Sequence, residues 1–150
     1  MTRILITGMS GAGKSTLLRE LAQRGVLTVD TDVDGWTDEA TGRWDEQRMT
    51  RLLSAEGDLV VSGTAENQGR FYDRFAAVVL LSAPVEVLLE RVRARTDNPY
   101  GSTPEQRDLI RRHVVEVEPL LRAGASIELS GTEPVAWLAD AVERMLRPNG

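Results

Sequence analysis

The sequence predicts an α/β protein with a doubly wound, three-layer, parallel five-stranded sheet, and three observations lead to this fold class. Five short apolar runs alternate with longer amphipathic runs along the chain. The apolar runs are hydrophobic on both faces, as strands buried in a parallel sheet are. A glycine-rich turn joins the first apolar run to the first amphipathic run, which is a frequent strand-to-helix junction in such sheets. The alternation implies right-handed crossovers with helices on both faces.

The five apolar runs predict the five strands. They read RILIT, VLTVD, LVVSG, AVVLLS and SIELS, and they predict strands at 3–7, 26–30, 59–63, 77–82 and 126–130. Each run is short, as buried strands are, and each is followed by a polar or glycine-containing segment. No internal repeat or low-complexity segment interrupts the series.

The amphipathic runs predict five helices, over 14–25, 45–57, 84–96, 103–124 and 134–146. The first two end at Gly25 and Gly57, and the third and fifth begin with proline, which is favoured in a first helical turn. In the fourth, Thr103 and Gln106 match a capping box, and Pro119 predicts a kink or break.

Length and composition indicate one domain, spanning residues 1–150. The chain has 150 residues with 41% hydrophobic content, enough for one buried core and too few for two ordinary domains. It contains no cysteine, which excludes thiolate metal sites and thiol nucleophiles. Its single histidine, His113, argues against a His-based triad.

The charge and hydropathy patterns indicate small-molecule partners. A net charge of -5 provides no basic face, so we expect no nucleic acid partner. The longest apolar run is far shorter than the ~20 residues of a membrane span, and no signal segment opens the chain. We therefore expect no membrane association and a cytoplasmic location. We also expect a monomer, with a dimer as the alternative.

The glycine-rich turn fits a phosphate-binding motif, the P-loop. Residues 8–15, GMSGAGKS, match G-x-x-x-x-G-K-[ST] between a predicted strand and a predicted helix, as this motif requires. Glycine lets successive backbone N–H groups curl around a phosphate, and the helix N-terminus adds partial positive charge. Lys14 is expected to reach the β- and γ-phosphates, and the Ser15 hydroxyl to bind Mg²⁺. The predicted nucleotide-binding residues are Gly8, Gly11, Ala12, Gly13, Lys14, Ser15 and Thr16.

Aspartates stand at every second position from the end of the second predicted strand. In a parallel sheet, the carboxyl end of this strand lies beside the P-loop, so Asp30 and Asp32 are expected to face the phosphates. A carboxylate there orients Mg²⁺ through water or accepts the proton of an attacking hydroxyl. Both are candidate metal residues, and Asp32 is also a candidate catalytic residue. Asp34 is a candidate acceptor-binding residue, and a solvated acidic turn is the alternative for all three.

Two parts of the chain resemble known kinases. GMSGAGKSTL followed by VDTDVDGWTDEATGR resembles the opening of shikimate kinases. VVLLSAPVEVLLERVRAR and SGTEPVAWLADAVERML resemble the fourth strand, the helix leading into the lid, and the terminal segment of adenylate kinases. The chain is thus identified as a member of the P-loop small-molecule and nucleoside monophosphate kinases. This resemblance implies a P-loop NTP hydrolase fold with a short lid at about 96–104.

The resemblance also implies nucleotide-binding residues outside the P-loop. Arg91 and Arg95 match the two arginines at the lid entry, of which one stacks on adenine and the other contacts phosphate. We assign the contact with the transferred group to Arg95. Thr132, Pro134 and Val135 match the loop whose backbone holds the adenine edge.

The acceptor side departs from both families. Ser62 stands where adenylate kinases have an aspartate, and Gly63 alone corresponds to the three-glycine run of shikimate kinases. We expect an acceptor-binding segment at about 31–56, together with the loop at 62–74. The candidate acceptor-binding residues are Asp32, Asp34, Trp36, Arg43, Arg48, Gly63, Asn67 and Arg70.

Together these features predict an ATP-dependent phosphotransferase that moves the γ-phosphoryl group of ATP to a small-molecule acceptor, with Mg²⁺. The predicted catalytic residues are Lys14, Asp32 and Arg95. Phosphoryl transfer needs mainly positioning and charge stabilisation, so no covalent nucleophile is required. An adenylate-type nucleoside monophosphate kinase is one alternative, and an ATPase or nucleotide-binding switch is the other.

Overall fold

The centre of the protein is a five-stranded parallel sheet. A computed structural model of the chain describes residues 2–55, 57–94 and 103–147. The strands are β1 Arg3–Thr7, β2 Thr28–Asp30, β3 Leu59–Ser62, β4 Ala77–Ser82 and β5 Ile127–Ser130. They are arranged in the order β2-β3-β1-β4-β5, and every neighbouring pair is parallel. All five carboxyl ends therefore lie at the same edge of the sheet.

Helices follow the strands in the predicted alternation. They are α1 Lys14–Gln23, α2 Glu46–Ser54, α3 Val85–Arg93, α4 Pro104–Glu116, α5 Glu118–Gly124 and α6 Val135–Leu146. A 3₁₀ helix, Gln68–Arg74, lies between β3 and β4, and the sequence pattern gives no signal for it. Within the described ranges, no helix has both the length and the apolar character needed to span a bilayer.

The hydrophobic core lies in two layers, one on each face of the sheet. Alternate residues of the central strand β1 enter different layers, with Ile4 and Ile6 in one and Leu5 in the other. The first layer is completed from α1 and α6 by Leu17, Leu21, Leu138 and Val142, and the second from α2 by Met49 and Leu53. All these side chains are buried. The predicted doubly wound, three-layer α/β fold is confirmed.

The long amphipathic run at 103–124 forms two helices. The chain breaks at Val117, and Pro119 lies in the first turn of α5, where its missing N–H leaves no helical hydrogen bond unmade. The start of α4 is capped by Thr103, whose hydroxyl accepts a hydrogen bond from the Gln106 N–H at 3.1 Å. The capping pattern therefore placed the start of this segment correctly, and the proline pattern correctly predicted its break.

One predicted strand begins later than its apolar run. β2 starts at Thr28, because the Val26 N–H donates to the Leu21 carbonyl at 3.0 Å and so belongs to the turn that ends α1. The short strand still carries Asp30 to the carboxyl edge, opposite Ser62 of β3. The acidic turn that follows is thereby held beside the P-loop.

Candidate active site

An open cavity of about 930 Å³ lies at the carboxyl edge of the sheet, against the P-loop. It collects residues that are distant in sequence, from the P-loop, the acidic turn after β2, α3 and the β5–α6 loop. The predicted site residues that line it are Gly11, Gly13, Lys14, Ser15, Thr16, Asp30, Asp32, Arg91 and Val135. Ser10, Arg19, Val33, Gly131, Glu133 and Leu138 line it as well, and none of these was predicted.

The backbone geometry of the P-loop explains two of its glycines. Gly11 has φ +87°, and a Cβ there would lie 2.8 Å from the Leu88 carbonyl oxygen of α3. Gly13 has φ +105° and is the N-cap of α1. L side chains rarely adopt these conformations, so the sequence places glycine where the loop must turn left-handed. The resulting loop presents the N-terminus of α1 to the cavity.

The N-terminus of α1 is suited to bind an anion. Its first turn contains no acidic residue, and Lys14, Ser15 and Thr16 open the helix at the cavity wall. Unpaired N–H groups and the helix dipole favour negative charge at such an end. The Lys14 ammonium donates to the carbonyls of Gly8 (2.7 Å) and Met9 (3.1 Å), so it lies folded over the P-loop.

Arg91 ties three parts of the cavity together. Its guanidinium donates to the carbonyls of Gly11 (3.1 Å) and Ala12 (3.2 Å) in the P-loop, and to that of Gly131 (2.7 Å) in the β5–α6 loop. Because it fixes these carbonyls, Arg91 holds the P-loop and the β5–α6 loop in one arrangement. Its predicted stacking on adenine remains a prediction.

The β5–α6 loop approaches the P-loop as closely as backbone allows. The Gly131 N–H donates to the Ser82 carbonyl at 2.6 Å, and a Cβ on Gly131 would overlap the Ala12 carbonyl oxygen. After Gly131, the Thr132 hydroxyl shares a hydrogen bond with the Ser130 hydroxyl, and Pro134 is the N-cap of α6. Gly131 is the residue that sequence reasoning passed over here, although it opens the same Gly-Thr-x-Pro-Val stretch that carried the family resemblance.

Replacing Gly131 by alanine is expected to lower the free energy of unfolding by about 1–3 kcal/mol, the usual range for overpacking a close contact. The added methyl group must push the β5–α6 loop away from the P-loop, so ATP affinity should fall as well. Urea denaturation and calorimetric ATP titration measure both effects. Gly69→Ala is the matched control, because its Cβ would meet only Tyr72 Cε2 at 3.9 Å. Wild-type stability and affinity in the Gly131 variant would contradict this packing argument.

The acidic turn after β2 brings two carboxylates to the cavity. Asp30 accepts a hydrogen bond from the Asp32 N–H at 2.9 Å, which fixes the turn, and both residues line the cavity together with the P-loop. No group of three or more His, Asp or Glu side chains within the described residues forms a metal cluster. A P-loop magnesium site does not depend on one, since Mg²⁺ there takes a hydroxyl, water and phosphate oxygens as ligands.

Arg48 and its neighbours form a separate unit next to this turn. The Arg48 guanidinium lies 4.0 Å from the centre of the Trp36 ring and donates to the Asp34 carbonyl at 2.9 Å. Asp34 itself has φ +59°, a left-handed conformation that aspartate tolerates better than most residues. These three candidate acceptor residues therefore contact one another, outside the lining of the main cavity.

The other acceptor candidates surround Glu46 at the start of α2. Asn67 is buried, and its side-chain oxygen accepts a hydrogen bond from the Trp44 N–H at 2.8 Å. Its amide nitrogen donates to the Trp44 carbonyl at 3.1 Å and to the Glu46 carboxylate at 2.9 Å. Arg43 and Arg70 form ion pairs with Glu46 at 3.4 and 3.6 Å. The pKa of the Glu46 carboxyl is lowered. The largest cause is the hydrogen bond from Asn67, and the positive charges of Arg70 and Arg43 add to it. The side chains of Asn67, Arg43 and Arg70 thus have partners within the protein.

The residues after β3 connect the acceptor side to the P-loop. Gly63 packs so closely on Thr31 that a Cβ would overlap the Thr31 hydroxyl oxygen. The next residue, Thr64, donates from its hydroxyl to the Gly8 carbonyl at 2.7 Å and accepts from the Gly8 N–H at 3.3 Å. The carbonyl of Gly8 therefore receives hydrogen bonds from both Thr64 and Lys14. Sequence reasoning missed Thr64, because an isolated threonine in a loop gives no signal.

Arg95 and most of the predicted lid at 96–104 lie outside the described residues. Their proposed roles rest on the sequence.

Together, a glycine-rich loop at a helix N-terminus and this sheet order define a P-loop nucleotide-binding protein. A family model described as an AAA domain matches residues 4–113. A shikimate kinase of Nitrobacter winogradskyi is 32% identical, and the alignment covers 91% of this chain and 73% of the relative. The chain therefore belongs to the shikimate kinase-like family of P-loop proteins, and it is a small-molecule kinase.

Solved structures agree on the fold. A shikimate kinase from Acinetobacter baumannii in complex with shikimate has a TM-score of 0.71 at 24% identity, covering 99% of this chain and 94% of that one. A gluconokinase from Sinorhizobium meliloti has a TM-score of 0.67 at 20% identity, covering 98% and 92%. At these identities the likeness establishes the fold, and the acceptor has to be argued from the site.

Proposed function

We propose that this protein is a cytoplasmic, single-domain enzyme that transfers the γ-phosphoryl group of ATP to a hydroxyl group of a small-molecule acceptor. One observation supports the proposal: a single cavity is lined both by Lys14, Ser15 and Arg91 and by Asp30 and Asp32. Cationic groups and a helix N-terminus suit the donor phosphates, and carboxylates suit a metal ion and an acceptor hydroxyl.

The donor side fits a nucleoside triphosphate. A side chain at Gly8 or Gly11 would meet the Leu81 or Leu88 carbonyl oxygen, so the loop keeps glycine there, and the start of α1 contributes positive potential. Lys14 has the reach to leave the Gly8 and Met9 carbonyls and neutralise charge on the β- and γ-phosphates. The β5–α6 loop, with Thr132, Pro134 and Val135, would take the adenine edge, and Arg91 would hold that loop against the P-loop.

The same residues fit Mg²⁺. The Ser15 hydroxyl and the Asp30 and Asp32 carboxylates are hard oxygen donors, which Mg²⁺ prefers, and all three residues line the cavity. When bound, the ion would neutralise phosphate charge. Asp32 is exposed and has the further task of accepting the proton of the acceptor hydroxyl, while Arg95 would contact the transferred group from the lid.

A screen of the purified protein with ATP and Mg²⁺ tests the proposal. Nucleosides, nucleoside monophosphates, sugars, polyols and hydroxy acids are offered singly, and ADP release is compared with the acceptor-free rate. At least one acceptor should raise ADP release and appear as a phosphorylated product by mass spectrometry. If no acceptor accelerates ATP hydrolysis, the result would instead favour the alternative function of an ATPase or nucleotide-binding switch. Absence of ATP binding would refute the P-loop assignment itself.

A further inference from the structure

The part of the chain that contains the proposed acceptor-binding residues carries all of the chain's net negative charge. Residues 30–74 contain eleven carboxylates and five arginines, a net charge of -6, whereas the whole chain has -5. The rest of the chain therefore has one more basic than acidic side chain. Charge of one sign along a cleft repels solutes of the same sign and attracts those of the other.

Two arginines of this region, Arg43 and Arg70, form ion pairs within the protein. Arg43 contacts Glu66 at 3.4 Å as well as Glu46, and Arg70 contacts Glu46. These two arginines and two glutamates form a group without net charge, which we call the Glu46 cluster. An anionic acceptor would have to compete with carboxylates that already occupy the guanidinium groups.

The Glu46 cluster is also fixed in place. Glu46 is the first residue of α2, directly after its N-cap Asp45, and it accepts a hydrogen bond from the buried Asn67. Asn67 is in turn bonded to both backbone groups of Trp44. The Glu46 carboxylate is therefore held between Arg43 and Arg70 by the Asn67 hydrogen bond as well as by the two ion pairs.

The remaining arginines of residues 30–74 are poorly placed to bind an anion in the cavity. Arg48 lies over the Trp36 ring and donates to the Asp34 carbonyl, next to the carboxylates of the acidic turn. Arg74 donates to the Ser54 hydroxyl, and Arg51 lies on the outer surface of α2 with Glu46, Gln47 and Thr50. Meanwhile Asp30 and Asp32 face the cavity.

We propose that the acceptor is a hydroxylated compound without negative charge, either neutral or aminated, and that the Glu46 cluster excludes carboxylate and phosphate acceptors. This inference rests on the proposed phosphotransfer to a hydroxyl group. It separates the chain from a kinase that holds its acceptor through a carboxylate or phosphate group.

Matched pairs of probes that differ in charge test this inference. Shikimate and its methyl ester, gluconate and glucose, and AMP and adenosine are titrated by calorimetry into the full chain saturated with ADP and Mg²⁺, at constant ionic strength. No anionic probe should bind the wild-type complex more tightly than about 1 mM. In the double variant Glu46→Gln and Glu66→Gln, at least one anionic probe should bind about tenfold more tightly, because Arg43 and Arg70 are released.

The control is the double variant Glu39→Gln and Asp73→Asn, which removes the same charge at exposed positions outside the cluster. Glutamine at position 46 can still accept the Asn67 hydrogen bond, so α2 should keep its start. An anionic probe that binds the wild type below about 1 mM overturns the inference. So does a cluster variant that gains no more anion affinity than the control. Failure of ADP to bind any of these proteins would instead count against the proposed kinase function.

Discussion

Replacing Lys14 by alanine is expected to lower phosphotransfer at least a hundredfold, with the protein still folded. The ammonium group donates to the P-loop carbonyls of Gly8 and Met9, and the residue is not part of the hydrophobic core. Loss of one positioned charge at a transferring phosphoryl group removes about 3 kcal/mol or more of transition-state stabilisation. Steady-state ADP release and calorimetric ATP titration measure the effect, with thermal unfolding as the check on folding.

The composition of the chain offers an independent form of this experiment. Lys14 is the only lysine in the sequence, so an amine-directed reagent can modify no other side chain. Acetylation of the wild type should abolish activity, and saturating ATP should protect against it. Retained turnover after complete modification of Lys14, verified by mass spectrometry, would contradict the role proposed for this residue.

Asp32→Asn is expected to reduce turnover by about 10² to 10⁴, the range for loss of a positioned acid–base group, while ADP affinity stays within a few-fold of wild type. The residue lines the cavity but belongs to the turn after β2, not to the P-loop proposed to hold ADP. Phosphotransfer to the acceptor found in the screen, measured beside ADP titration, separates the two effects.

Asp73→Asn is the control for this substitution, because Asp73 is exposed on the 3₁₀ helix and the same charge is removed. It should leave turnover unchanged. An Asp32 variant that transfers phosphate as fast as the wild type would reduce the acidic turn to a structural element. An Asp32 variant that also loses ADP would place the carboxylate on the donor side.

The parts of the fold that depend on local sequence were predictable. A run such as RILIT can bury both faces only inside a sheet, and glycine at 11 and 13 is required where the backbone turns left-handed. The capping residue Thr103 and the break near Pro119 are likewise decided within a few residues. The P-loop and the order of the strands and helices can therefore be predicted from a single sequence.

The contacts that complete the candidate site depend on distant residues and could not be predicted. Nothing near Arg91 in sequence indicates that its guanidinium meets carbonyls of Gly11 and Gly131, which lie 80 and 40 residues away. Asn67 is a polar loop residue by sequence, yet folding buries it against Trp44. The Asn67 amide, whose polarity suggested a ligand contact, instead makes its hydrogen bonds to Trp44 and Glu46.

The bond between Thr64 and Gly8 limits how the specificity of this enzyme can be redesigned. The loop after β3 is an obvious segment to exchange with that of a related kinase, but its first polar residues also support the phosphate loop. Gln68 donates to the Thr7 hydroxyl at 3.2 Å and to the Tyr72 hydroxyl at 2.8 Å, and the Thr7 hydroxyl lies 3.1 Å from that of Thr64. A chimaera that keeps Thr64 and Gln68 and exchanges the residues around them retains this support. One that replaces the whole loop changes the donor site along with the acceptor site.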